Sequence, residues 1–191
     1  MFELIGSEAS YLRSLGVAVN HFYKSQELKQ TLSQTEHHIL FSKIQHVMVA
    51  SEKFLTDLES RLGENVLIPQ VGDVVLQHCK HFQTLYVPYV TNMMYQENTN
   101  TFSTPCNKLE SDPVCQRKTL KSFLVLPFQR ITRIKLLTSD CNDNCYGHKA
   151  RVNKICKSLH PLLESPSPSD GLLLNYRSEK EAWMKALSSR H

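Results

Sequence analysis

The segment Leu120–Leu137, LKSFLVLPFQRITRIKLL, joins an almost unbroken apolar run to a basic stripe, and it constrains the fold more than any other part of the chain. At helical spacing Phe123, Leu126, Ile134 and Leu137 share a side that asks to be buried, while Gln129, Arg130 and Arg133 bring polar groups to its rim. Pro127 cannot sit in an undisturbed helix, because it lacks a backbone donor and its ring collides with the preceding turn. A kink or a helix start is therefore expected there. On pattern alone the segment reads as an amphipathic core helix with solvated arginines.

Other stretches supply helices to cover that side. From Phe2 to about Lys24, the residues Leu4, Tyr11, Leu15, Val19 and Phe22 follow three- and four-residue steps. A second helix is expected to open at Ser33 or Thr35, with Glu36 completing a capping box to Ser33. It carries one stripe through Leu40, Ile44, Val47, Phe54, Leu55, Leu58 and Leu62 and stops at Gly63. Pro69 opens a third helix through Val71, Val75, Cys79, Phe82, Tyr86, Tyr89, Val90 and Met93, bent at Pro88. Three long helices with short joints predict an all-α fold, an elongated helical bundle.

After Gln96 the stretch from Asn98 to Pro105 is a succession of poor helix formers, so a loop or a shortened helix is expected before Leu120. Beyond Leu137, TSDCNDNCYGH is short and polar. Ala150–Leu163 can form a short helix, ESPSPSD reads as a linker, and Ser178 with Glu181 caps a last short helix carrying Trp183 and Leu187. The expected division is a helical bundle over 1–145, a short helix and linker over 146–176, and an isolated helix over 177–191.

Composition excludes several function classes. With 191 residues, 41% of them hydrophobic and 21% charged, the chain is of ordinary globular make-up. A net charge of +4 is too small and scattered to argue nucleic-acid binding. No apolar stretch reaches bilayer length and the start MFELIGSEAS is unlike a signal peptide, so a cytoplasmic chain without membrane association is expected, its six cysteines free thiols. Cys141, Cys145 and His148 make only one ligand pair and a histidine, with Cys156 a distant fourth candidate, short of a zinc site. DCNDNC starts like a calcium loop but has Cys145 where glycine is needed and Arg151 where glutamate is needed. His78, Cys79 and His81 lack a partner motif, and His37 and His38 read as solvated. No metal or cofactor is expected. Phosphate-binding and hydrolase motifs are missing too, so bond chemistry is not expected.

LKSFLVLPFQRITRIKLL resembles the most recognisable segment of the Dbl homology domain, the exchange-factor module for Rho-family GTPases, and its wording is similar to the ephexin subgroup. FELIGSEASYLRSL resembles the first helix of that domain, with Glu3, Ser7, Glu8 and Tyr11 at its motif positions. RSEKEAWMKALSSRH resembles the closing helix of a pleckstrin homology domain. The resemblance implies a partner, a Rho-family small GTPase of the RhoA, Rac or Cdc42 class. It hands Glu3 a contact with switch I, and Gln129, Arg130, Arg133 and Lys135 the switch region and bundle edge. Asn142 or Asn144 stands in for the asparagine of the family's final helix, most of whose body is missing here. Leu126 replaces a lysine common in the family. These features imply an incomplete exchange-factor fragment with weak or no exchange activity, or alternatively a non-catalytic interaction protein binding a small GTPase or another helical partner, or a degenerate product without independent function.

Overall fold

The computed structural model describes residues 2–64, 72–97 and 103–139, and every regular element among them is helical. The first expected helix forms as α1, Phe2–Val17, continued by a π-helical turn over Ala18–Tyr23. Lys24 N–H reaches back five residues to the Val19 carbonyl at 3.1 Å, and the widened turn keeps Val19 and Phe22 buried with Leu4, Tyr11 and Leu15. Ser25 then accepts from Leu28 N–H and opens a short α2, Gln26–Thr31, which sequence reading had not anticipated.

The capping box at Ser33 is present. Its hydroxyl oxygen accepts from Glu36 N–H at 3.2 Å, and the Glu36 carboxylate accepts from Ser33 N–H at 2.8 Å. The helix it opens, α3, spans only Gln34–Phe41, and α4 runs from Ile44 to Glu64. One helix was expected over this range; the chain instead turns at Lys43, where φ is 64°. The break is supported from outside. Asn92 and Gln96 donate their side-chain N–H groups to the Ile39 and Leu40 carbonyls at 2.6 and 2.7 Å, satisfying acceptors that a continued helix would have used. The apolar stripe still reads across the turn because Leu40, Phe41 and Ile44 enter the same core. Gly63 lies in the last turn of α4, before its end.

The third long helix, α5, is Gly72–Glu97, with Pro88 on its exposed side and no break in the helix around it. Pro69 and Val71 lie outside the described residues. Ser103–Glu110 forms α6 despite its composition, since Pro105 stands in the first turn, where a missing donor costs little. A 3-10 turn over Pro113–Cys115 is capped by Asp112. The Leu120 segment becomes α7, Leu120–Leu124, and α8, Leu126–Ser139, so Pro127 marks a helix start as expected. Tyr89 Oη donates to the Leu124 carbonyl at 2.7 Å and holds that joint.

α1 packs on α4, α4 on α5, and α8 on both α1 and α5. Leu15, Phe54, Leu58, Phe82, Tyr86 and Ile131 fill the space between them, all nearly inaccessible. Leu55 and Leu62 are half-buried, at the edge of the expected stripe. Cys79, Cys106 and Cys115 are buried free thiols, and burial pushes Cys106 up to about 11. His78 is buried, with Nε2 at 2.7 Å from Asp57 Oδ2, its ring packed against those of Phe54 and Phe82. Among the described residues no cluster could hold a metal ion and no helix is long and apolar enough to cross a membrane. The helices expected over 150–163 and 178–187, with Cys141, Cys145 and Cys156, lie outside the described residues.

Candidate functional site

Where α1 meets α8, the first-helix motif and the basic stripe come together. Glu3 occupies the first turn of α1, where the helix dipole favours a carboxylate. Glu8 follows five positions later, about 140° around the helix at 3.6 residues per turn, and faces inward. Its side chain is 1% exposed.

Arg130 of α8 meets Glu8 in the interior. Its Nε donates to Glu8 Oε2 at 2.7 Å, one terminal nitrogen to Ser7 Oγ at 2.9 Å, and the other to the Leu4 carbonyl at 3.3 Å. Ser51 of α4 donates to the second Glu8 oxygen, so one carboxylate links three helices. The guanidinium carbon stands 5.9 Å from the centre of the Tyr11 ring, and the Tyr11 and Tyr86 hydroxyls are 3.3 Å apart. Burial pushes the Glu8 carboxyl above its ordinary value, an effect Arg130 and Ser51 oppose, and burial raises both phenols as well. No buried side-chain polar atom among the described residues lacks a partner.

The rim position expected for Arg130 is corrected by this geometry. Its backbone lies between Gln129 and Arg133, as spacing requires, but the long side chain turns into the α1–α8 contact because Glu8 supplies the opposing charge there. Arg133 does stand at the rim, with its guanidinium 3.3 Å from Glu3, both side chains more than half exposed. Gln129 is half-buried beside it. Together with Ser10, Ser14 and Lys118 these residues line an open groove of about 550 Å³ along α1 and α8. Leu126 also lines the groove. Lys135 lies on α8, its side chain outside the described set, and Asn142 lies outside the described residues.

Sequence reading picked out Ser7, Glu8 and Tyr11 as motif positions without their task. The missing piece was Arg130, 122 positions from Glu8 in the chain. Nothing local to α1 announces a partner that distant.

The RhoGEF domain family model matches residues 1–165. The chain belongs to the RhoGEF domain family. Rho guanine nucleotide exchange factor 5 of Mus musculus is 55% identical over 169 residues, 84% of this chain and 11% of that protein. Ephexin-1 of Rattus norvegicus is 45% identical over 148 residues, 73% of this chain and 21% of that protein. This RhoGEF chain thus spans a tenth to a fifth of the length of these two curated relatives. The crystal structure of the DH domain of FARP2 has the same fold at TM-score 0.71 and 20% identity, covering 96% of this chain and 94% of that one. The DH/PH fragment of PDZRHOGEF crystallised with human RhoA matches at TM-score 0.66 and 18% identity, covering 85% of this chain and 50% of that one.

Proposed function

We propose that the face formed by α1 and α8 is the GTPase-binding surface of an exchange-factor domain. The partner is a Rho-family GTPase, consistent with the RhoA complex formed by a relative of the same fold. Glu3 contacts switch I, while Gln129, Arg133 and Lys135 border the switch region and Asn142 contributes from the segment after α8. Arg130 acts indirectly, by fixing α1 against α8 through Glu8. One observation carries this reading. Of the two glutamates in the first-helix motif, Glu8 is consumed by the interior and Glu3 stands 67% exposed at the groove, available to a partner.

The chemistry is differential binding. The domain stabilises the nucleotide-free GTPase, and it accelerates release only by as much as it prefers that state over the GDP-bound one. Exchange is weak in this proposal, because the TSDCNDNCYGH segment stands where the family carries the body of its final helix, and the functional bundle is assigned to 1–145, apart from 146–176 and 177–191. The experiment is release of fluorescent GDP from RhoA, Rac and Cdc42 with the wild-type chain and with Glu3→Ala. Equal acceleration by both proteins removes Glu3 from the mechanism. Rates matching those of a strongly active DH domain overturn the weak-exchange reading, and tight binding without any release makes the chain a non-catalytic interaction module.

A further inference from the structure

The turn between α3 and α4 borders a second surface cavity of about 530 Å³, near Tyr23 at the far end of the α1 rod from Glu3. At 1.5 Å per residue, twenty residues of helix separate the two by about 30 Å. His37 and His38 of α3, Lys43 of the turn and His46 of α4 all line it, and no carboxylate does. His38, Lys43 and His46 are exposed, and among the described residues none of their three side chains has a hydrogen-bond or ion-pair partner.

Lys43 adopts φ 64°, the left-handed region that glycine occupies without a Cβ penalty. The turn geometry alone would be met more cheaply by glycine. A lysine held there in a costly conformation, beside three histidines and no acid, asks for another reason. The floor is built to stay in place: His37 Nε2 bonds the Tyr23 carbonyl at 3.0 Å, and the rings of Tyr23, His37 and Phe41 contact one another with centres 4.9 to 5.6 Å apart. Because a carbonyl only accepts, the His37 Nε2 must carry the donated proton. Glu36, the nearest acid in sequence, is engaged by Ser33.

We infer that the His37–His38–Lys43–His46 cavity binds a phosphate ester, its phosphate oxygens on Lys43, His38 and His46 and its carbon body against the Tyr23–His37 edge. A phosphorylated lipid headgroup and a free inositol phosphate share this chemistry. The site is separate from the α1–α8 groove and stands whether or not the GTPase reading does.

The test uses the full chain with two probes, inositol hexakisphosphate by titration calorimetry and vesicles of phosphatidylcholine with or without phosphatidylinositol 4,5-bisphosphate by co-sedimentation. Lys43→Gly suits the backbone and removes the cation, so it separates binding from folding. Wild type should bind at least one probe, with Lys43→Gly and His46→Gln each weakening it fivefold or more, on the order of one charged contact. Lys121→Gln, an exposed lysine on α7, should bind like wild type. Vesicle-only binding assigns the lipid source and hexakisphosphate-only binding the soluble one. No binding of either probe, or a Lys43→Gly chain that binds as wild type does while melting normally, overturns the assignment.

Discussion

Two Glu–Arg pairs tie α1 to α8, and their surroundings give the same residue types opposite tasks. In the Glu8–Arg130 pair the atoms approach to 2.5 Å with 1% and 3% of the side chains exposed; in the Glu3–Arg133 pair they stand 3.3 Å apart with 67% and 57% exposed. Taking two charges out of water is costly, and the interior pair is viable only because Ser7, Ser51 and the Leu4 carbonyl satisfy what the ion pair leaves over. The outer pair gains little from mutual attraction in water, so a partner can take either member at small cost. One pair holds the groove's walls together and the other is its accessible edge.

The comparison breaks most sharply on Glu8→Ala. It leaves Arg130 buried without a counter-charge, with an expected loss of about 3 to 5 kcal/mol in urea unfolding. A loss no larger than that of a surface substitution would show that water reaches the guanidinium. Replacing both partners, Glu8→Leu with Arg130→Met, should recover most of the loss, because an apolar pair of similar volume pays no desolvation.

Leu58→Ala tests the apolar packing seven residues along α4 from Ser51. Cavity formation should cost about 2 to 5 kcal/mol. Thermal melts that stay in place would show that Leu58 is not packed as its full burial indicates.

Glu3→Ala should lower stability by less than about 1 kcal/mol, since a well-exposed ion pair contributes no more than that. Its effect should fall on GTPase binding. If it destabilised the fold as much as Glu8→Ala, the contrast between the two pairs would collapse.

The smallest expected effect concerns pH, and here Glu8 and Glu36 have opposite signs. Burial raises Glu8 above 4.5, so the stability linked to its proton is present below that unfolded value and is lost as pH rises through the folded one. The bonds from Ser33 lower Glu36 below 4.5, so its contribution is present above that value and is lost as pH falls through the folded one. Melting temperatures of Glu8→Gln and Glu36→Gln, scanned from roughly pH 3 to 7 across the carboxylate range, should depart from wild type with opposite slopes. Parallel profiles would remove the distinction.

Much of the bundle was legible because the signals were local. The Ser33 box, the helix start at Pro127 and the stripes of α1, α4 and α5 each depend on residues within a turn or two. Sequence reading missed the turn at Lys43, since apolar spacing reports which face is buried and stays silent about a backbone break that Asn92 and Gln96 hold from another helix. It left a loop and a shortened helix both open where α6 forms, because propensity undervalues a short helix held by tertiary contacts, here Cys106 in the core and the Leu109 carbonyl bonded to His21 at 2.9 Å.

The sequence by itself determined the helical class, the helix starts at Ser33 and Pro127 and the family motifs in α1 and the Leu120 segment. Only the tertiary structure decided which charges belong to the interior. Glu3 and Glu8 sit five residues apart in one helix and Arg130 and Arg133 three apart in another, and neither stretch says that Glu8 and Arg130 will meet. Helical spacing and capping are set by near neighbours, whereas the state of a charge is set by whatever side chain the fold brings to it, here from 122 positions away.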